Sequence, residues 1–122
     1  MIGYVTIGSN DLEKAKAFYD AVLAPLGAAR GFDLGRMQLY NAGGGPALAV
    51  CTPYDEQDAQ PGNGTMVALQ APSHEVIGEV HAAALANGGT CEGPPGPRGV
   101  PGFYGAYFRD LDGNKLCVFK MG

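Results

Sequence analysis

Apolar and polar residues alternate from Ile2 to Ile7, the two-residue period of a half-buried strand. The period then changes. Leu12, Ala15, Phe18, Tyr19 and Val22 recur at helical spacing and form one apolar stripe, so a helix is predicted to about Leu23. Its start lies in Ser9-Asn10-Asp11-Leu12-Glu13. Either Asn10 caps it with Glu13 in a capping box, or Asp11 is the cap. Pro25 and Gly27 end it. Short strands are predicted over Ala28 to Asp33, Arg36 to Asn41 and Ala47 to Thr52, with turns at Gly35 and at Gly43-Gly44-Gly45-Pro46. Pro53 to Gly64 is polar and reads as a connector.

The pattern then restarts. Thr65 to Gln70 is a strand, and Ser73 caps a helix running to about Asn87 with Val76, Ile77, Val80, Ala84 and Leu85 on its apolar side. Gly88-Gly89 stops it. Thr90 to Glu92 is a short strand, Gly93 to Gly102 a Pro/Gly loop, and Tyr104 to Arg109 and Lys115 to Phe119 the last strands. Asp110-Leu111-Asp112-Gly113-Asn114 is a tight turn between them, its carboxylates bonding backbone rather than serving as a catalytic pair.

The halves repeat. Val5-Thr6-Ile7 aligns with Val67-Ala68-Leu69 at an offset of 67 − 5 = 62, and Leu48-Ala49-Val50 with Leu116-Cys117-Val118 at 116 − 48 = 68. The extra residues fall in the Pro/Gly loop. This is an internal β-α-β-β-β duplication. It divides one domain, 1–122, into modules 1–57 and 64–122. A strand under a helix turns its apolar face to that helix, which places Val5, Ile7, Leu48, Val50, Val67, Leu69, Leu116 and Val118 in the core. Alternation sends Tyr4, Thr6, Gln38, Tyr40, Ala49, Cys51, Met66, Ala68, Tyr107, Cys117 and Phe119 to the opposite face. Sheets with such faces can curl around a small-molecule pocket, or meet another sheet as plain packing.

Composition narrows the function classes. The net charge is −4 and the eight basic residues are scattered, against a general nucleic-acid binder. No apolar run is long enough to span a bilayer, and no signal peptide is visible, so the expected compartment is the cytoplasm. Cys51, Cys91 and Cys117 lack Cys-x-x-Cys spacing and suit reduced thiols. His74 and His81 lie two helical turns apart, about 10 Å, too far to share one metal unaided. Gly43 to Gly45 is no phosphate loop, since no Lys-Ser/Thr follows.

Four stretches carry a family resemblance: YVTIGSNDLEKAKAFYDAVLAPLGA, VALQAPSHEVIGEVHAAALANGG, GPPGPRG to FYGAYFRD, and DLDGNKLCVF. In order and repeat they resemble the glyoxalase/bleomycin-resistance/extradiol-dioxygenase (vicinal oxygen chelate) superfamily. The resemblance implies an α+β fold, two βαβββ modules forming a curved mixed sheet around a cleft, often in a homodimer. Whether the modules pair within or between chains stays open. It also implies one divalent metal held by His or Glu on the first and fourth strands of each module. By the repeat those positions are Tyr4, Ala49, Met66 and Cys117. Ala cannot coordinate, and a Met thioether does not replace imidazole for zinc, nickel, manganese or iron(II). No metal and no cofactor are expected.

The residues expected to line a ligand site are Tyr4, Tyr40, Met66, Tyr107, Cys117 and Phe119. For each a packing role competes: rim tyrosines, core Met, and Cys as a small hydrophobe. Arg36, Arg98 and Arg109 are the anion-binding candidates, Arg98 in a loop able to close over a ligand. His81 is read as a boundary residue and His74 as solvated. The reading in front is metal-free binding of a small apolar or aromatic molecule in the cleft. A glyoxalase-like lyase, isomerase or dioxygenase with an atypical metal site is one alternative. An interaction module whose cleft a partner closes is the other.

Overall fold

The computed structural model describes residues 1–122. Strand β1 (Tyr4–Gly8) leads into helix α1 (Leu12–Leu23). Asp11 is the N-cap, its carboxylate accepting from the Lys14 backbone N–H at 3.2 Å. Asn10 is not the cap. It exchanges hydrogen bonds with the Ala59 backbone, and its own N–H donates to Asp112 at 2.8 Å. A 3-10 turn (Ala24–Leu26) ends on Gly27 at φ 76°, the left-handed region that glycine enters freely. Strands β2 (Ala29–Asp33), β3 (Met37–Asn41) and β4 (Ala47–Cys51) complete the first module.

The second module repeats the plan with β5 (Val67–Gln70), α2 (His74–Ala86), β6 (Thr90–Pro97), β7 (Phe103–Arg109) and β8 (Lys115–Met121). Ser73 caps α2 through the Val76 N–H at 3.1 Å. Strand β6 is longer than the sequence pattern indicates, running through Gly93–Pro97 where a loop is expected. It is the outermost strand and pairs with β7 through two irregular steps, so prolines that cannot donate sit where few ladder bonds are needed.

Each module forms a four-stranded mixed sheet, ordered β1-β4-β3-β2 and β5-β8-β7-β6, with β1 parallel to β4 and β5 parallel to β8. The expected α+β fold of two βαβββ modules is therefore present. The sheets do not close on one another, and no strand of one pairs with a strand of the other. The modules meet chiefly through α1, the 3-10 turn and α2. Ile7, Phe18, Tyr19, Val22, Leu48 and Val50 of the first module share one core with Ile77, Val80, Phe108, Leu116 and Val118 of the second. Both helix-covered faces look into that core, so each sheet's other face looks away from it. No helix is long and apolar enough to cross a membrane.

A carboxylate joins the modules at the core's edge. Asp110, 6% exposed, accepts from the Tyr19 hydroxyl at 2.6 Å, the Asn114 side-chain amide at 3.0 Å and the backbone N–H groups of Asp112 and Asn114, both at 2.9 Å. The same Asn114 amide reaches the Gly8 carbonyl at 2.9 Å. Burial first, and then the Asp110 charge, holds the Tyr19 phenol well above its usual pKa, so Tyr19 stays a donor.

Candidate functional site

Strand register decides which side chains share the open face of the second sheet. Tyr107 pairs with Cys117, Gly105 with Phe119 and Arg109 with Lys115 across β7 and β8. Ala68 pairs with Cys117 across β5 and β8, and Met66 lies two residues before Ala68 on the same side. Alternation thus gathers Met66, Tyr107, Lys115, Cys117 and Phe119 on one surface. Cys117 is its floor, 1% exposed.

Two cations approach the Tyr107 ring. The Arg98 guanidinium carbon is 5.2 Å and the Lys115 ammonium 5.6 Å from its ring centroid, both within cation–π range. Arg98 follows the end of β6 and folds back, its guanidinium anchored on the carbonyls of Pro94 (2.6 Å) and Pro97 (3.1 Å). Gly93 makes room for this. A Cβ there would stand 3.0 Å from Arg98 Nη2 and 3.1 Å from the Tyr107 ring. Arg109 at the same end holds Glu92 at 2.6 Å and the Gly113 carbonyl at 2.9 Å. This pairing keeps the Glu92 carboxyl below its usual range. At the other end the Phe103 and Phe119 rings stack, centroids 5.5 Å apart and planes 5° from parallel. Burial pushes the Cys117 thiol up, against smaller downward pulls from Tyr107, Arg98 and Lys115, so it stands protonated at neutral pH. An open cleft of about 600 Å³ adjoins the cationic end, lined by Met66, Arg109, Lys115 and the segment 61–65.

The first sheet's open face is different. It carries Tyr4 (58% exposed), Thr6, Ala47, the fully buried Ala49, Met37 and Leu39, and a bulge in β2 brings Phe32 beside Leu39. It holds no unpaired charge except Arg36 at its end. That arginine lies over the Tyr54 ring and donates to the Thr52 carbonyl at 2.7 Å.

Tyr40 and Gln38 are corrections. Both were expected on the open face, and both are buried under α1, at 2% and 1% exposure. Tyr40 pairs with Leu48 and Gln38 with Val50, which fixes them on the core side. Polar partners supplied from elsewhere make this possible. The Tyr40 hydroxyl lies 2.9 Å from the Asp20 carboxylate and 3.0 Å from the Lys16 carbonyl. The Gln38 amide reaches the carbonyls of Phe32 and Leu39 at 3.1 and 3.0 Å. Tyr40 is therefore no part of an open-face ligand site.

Tyr4 and Ala49 sit on one sheet, Met66 and Cys117 on the other, and the two faces are not joined within one chain. The donors at these four positions do not fit a divalent metal, because Ala49 offers none and Met66 offers a soft thioether. No cluster of three His, Cys, Asp or Glu side chains exists elsewhere in the molecule. His81 lies on the core side of α2, buried, with its Nε2 3.2 Å from the Cys91 sulfur. His74 is exposed and stacks on Tyr104, ring centroids 3.8 Å apart.

Burial lowers the His81 pKa from its ordinary 6.5. A group lowered on folding stabilises the fold above its unfolded pKa and loses that contribution as pH falls toward the folded value. The melting temperature is expected to drop between pH 7 and pH 5, and to drop less in His81→Gln. Equal slopes in the two proteins would contradict this role.

The family model of the Glyoxalase/Bleomycin resistance protein/Dioxygenase superfamily matches residues 1–118. The chain belongs to that superfamily. A glyoxalase/bleomycin resistance protein from Albidiferax ferrireducens T118 is 41% identical, with a TM-score of 0.92 over 100% of this chain and 99% of that one. A putative glyoxalase from Bacillus halodurans (21% identity, TM-score 0.77, 98% and 95% covered) shares the fold. So does the fosfomycin resistance protein FosX from Listeria monocytogenes (20% identity, TM-score 0.72, 100% and 93% covered). No curated protein matches the sequence. Lys115 and the Phe103–Phe119 stack complete the second sheet's open face. Sequence reasoning passed over Lys115 and Phe103. Lys115 was within reach, since it alternates with Cys117 and Phe119 on β8.

Proposed function

We propose that this superfamily member binds a small aromatic or apolar molecule on the open face of its second sheet without a metal. One observation carries the reading. The positions where the superfamily resemblance puts metal ligands hold Tyr4, Ala49, Met66 and Cys117, while the face around two of them is a built aromatic surface of Tyr107, Phe103 and Phe119. Ligand binding to the folded state raises thermal stability by mass action. A panel of small aromatic compounds is expected to include members that raise the melting temperature by several degrees, equally with and without EDTA. A shift that chelator abolishes, or none across the panel, would defeat the proposal.

A second copy of the chain completes the site in this proposal. Strands β1 and β5 are both sheet edges, and Ile2, Tyr4 and Met66 beside them are 43–58% exposed. Unpaired edges bearing apolar side chains favour pairing with another strand. The first sheet of one copy then faces the second sheet of the other, apolar half against cationic half. Sedimentation equilibrium is expected to give twice the chain mass, and Tyr4→Asp the single mass. A monomeric native protein at 100-fold the concentration of the assay range would contradict the pairing. The compartment proposed is the cytoplasm, where three unpaired thiols stay reduced.

A further inference from the structure

Four of the eight Lys and Arg side chains pair with carboxylates: Lys14, Lys16, Arg30 and Arg109. Arg36, Arg98, Lys115 and Lys120 do not. Two of these four, Arg98 and Lys115, converge on a single ring, Tyr107, and both are half-buried. Arg109 holds the Glu92 carboxylate at 2.6 Å, and Glu92 also feels the Lys115 charge. Lys115 makes no ion pair with it. Counting Arg98, Lys115, Arg109 and Glu92, the patch carries a net charge of 3 − 1 = +2 in a chain whose total is −4. Half-buried charge with no carboxylate in direct contact is disfavoured. Here the geometry preserves it: Gly93 opens the space for the guanidinium, and two backbone carbonyls, not a carboxylate, orient it.

The same face is polarised along β7 and β8. The cations stand at the level of Tyr107 and Lys115. One and two ladder steps further, the register reaches Gly105–Phe119 and Phe103–Met121. A Cβ at residue 105 would lie 2.9 Å from the Phe103 ring, so Gly105 is what lets that ring lie back over the strand. The result is a cationic end joined to a flat apolar shelf.

We infer that the ligand is a small organic anion, an aromatic or apolar body bearing a carboxylate or phosphate, whose charged group is held at the Tyr107 end of the face by Arg98 and Lys115 while its body lies on the Phe103–Phe119 shelf. The inference rests on the small-molecule reading above and adds the charge. It needs one sheet only, so it holds whether or not two copies pair.

The test uses matched probes on the full chain, naphthalene-2-carboxylate and naphthalene-2-carboxamide, titrated by calorimetry. The carboxylate is expected to bind at least about 10-fold tighter, and to weaken several-fold between 50 and 500 mM salt as the charges are screened. Lys115→Met and Arg98→Met are each expected to cut that preference, the ratio of the two affinities in the same protein, to about threefold or less. The carboxamide serves as the control for folding and for the apolar shelf. Equal binding of the two probes overturns the anion assignment and leaves small-molecule binding standing. A carboxylate preference that survives both substitutions also overturns it, since the charge is then read elsewhere. Binding of neither probe, with no response to inorganic phosphate, overturns the anion site together with the aromatic-ligand reading.

Discussion

Replacing Asp110 with alanine is expected to lower the stability of the chain by about 4 kcal/mol, the largest effect of any single polar substitution here. The carboxylate accepts four hydrogen bonds at 2.6–3.0 Å and is nearly buried. Alanine strands the buried Tyr19 hydroxyl, at a cost of about 1–3 kcal/mol, and leaves the part-buried Asn114 amide with only its bond to the Gly8 carbonyl. It also releases the turn before β8. Tyr19→Phe removes only one of the four bonds and should cost about 2 kcal/mol, as for a hydrogen bond to a charged group. Urea denaturation of the three proteins measures both. A loss under 1 kcal/mol for Asp110→Ala would show that the carboxylate merely decorates the turn.

Phe108→Ala should cost a similar amount, about 3–5 kcal/mol. Phe108 is fully buried on the core side of β7, and its ring centroid is 6.5 Å from that of Phe18 on α1. Removing it opens a cavity where the modules meet, with Ile77, Val80 and Leu116 fixed by their own strands and helix. The consequence reaches beyond one module. Because one continuous core spans both repeats, the native chain should unfold in a single transition, and Phe108→Ala should unfold in a single, earlier one. Two separate transitions by circular dichroism, only one of them moved by the substitution, would mean that the repeats are independent folding units.

The elements were legible because their signals are local. Periods of two and 3.6 residues, the Ser73 cap and the Asp110–Asn114 turn lie within a few residues of what they specify, and the duplication made each module check the other. The turn's second role was not legible. That Asp110 reaches Tyr19 depends on how the two helices pack, which no local pattern encodes. The misplaced pair Gln38 and Tyr40 fails for the same reason. In Met37-Gln38-Leu39-Tyr40 the more apolar residues are the odd ones, which argues for Met and Leu inside. The even ones go inside because Asp20, the Lys16 carbonyl and the carbonyls left by the β2 bulge satisfy them there. Arg98 was found from sequence as an anion candidate. Its setting was not, because prolines masked the far half of β6 as a loop.

The central claim, a ligand site that works without a divalent metal, is tested most directly by elemental analysis. Protein purified without chelator is incubated separately with nickel, zinc, manganese and iron(II), dialysed and assayed for metal. Retention far below one ion per chain, about 0.1 or less, is predicted in every case, since the four positions offer no more than a phenol, a thioether and a protonated thiol. One tightly held ion per chain that survives dialysis, and is lost in Cys117→Ala, would contradict the account.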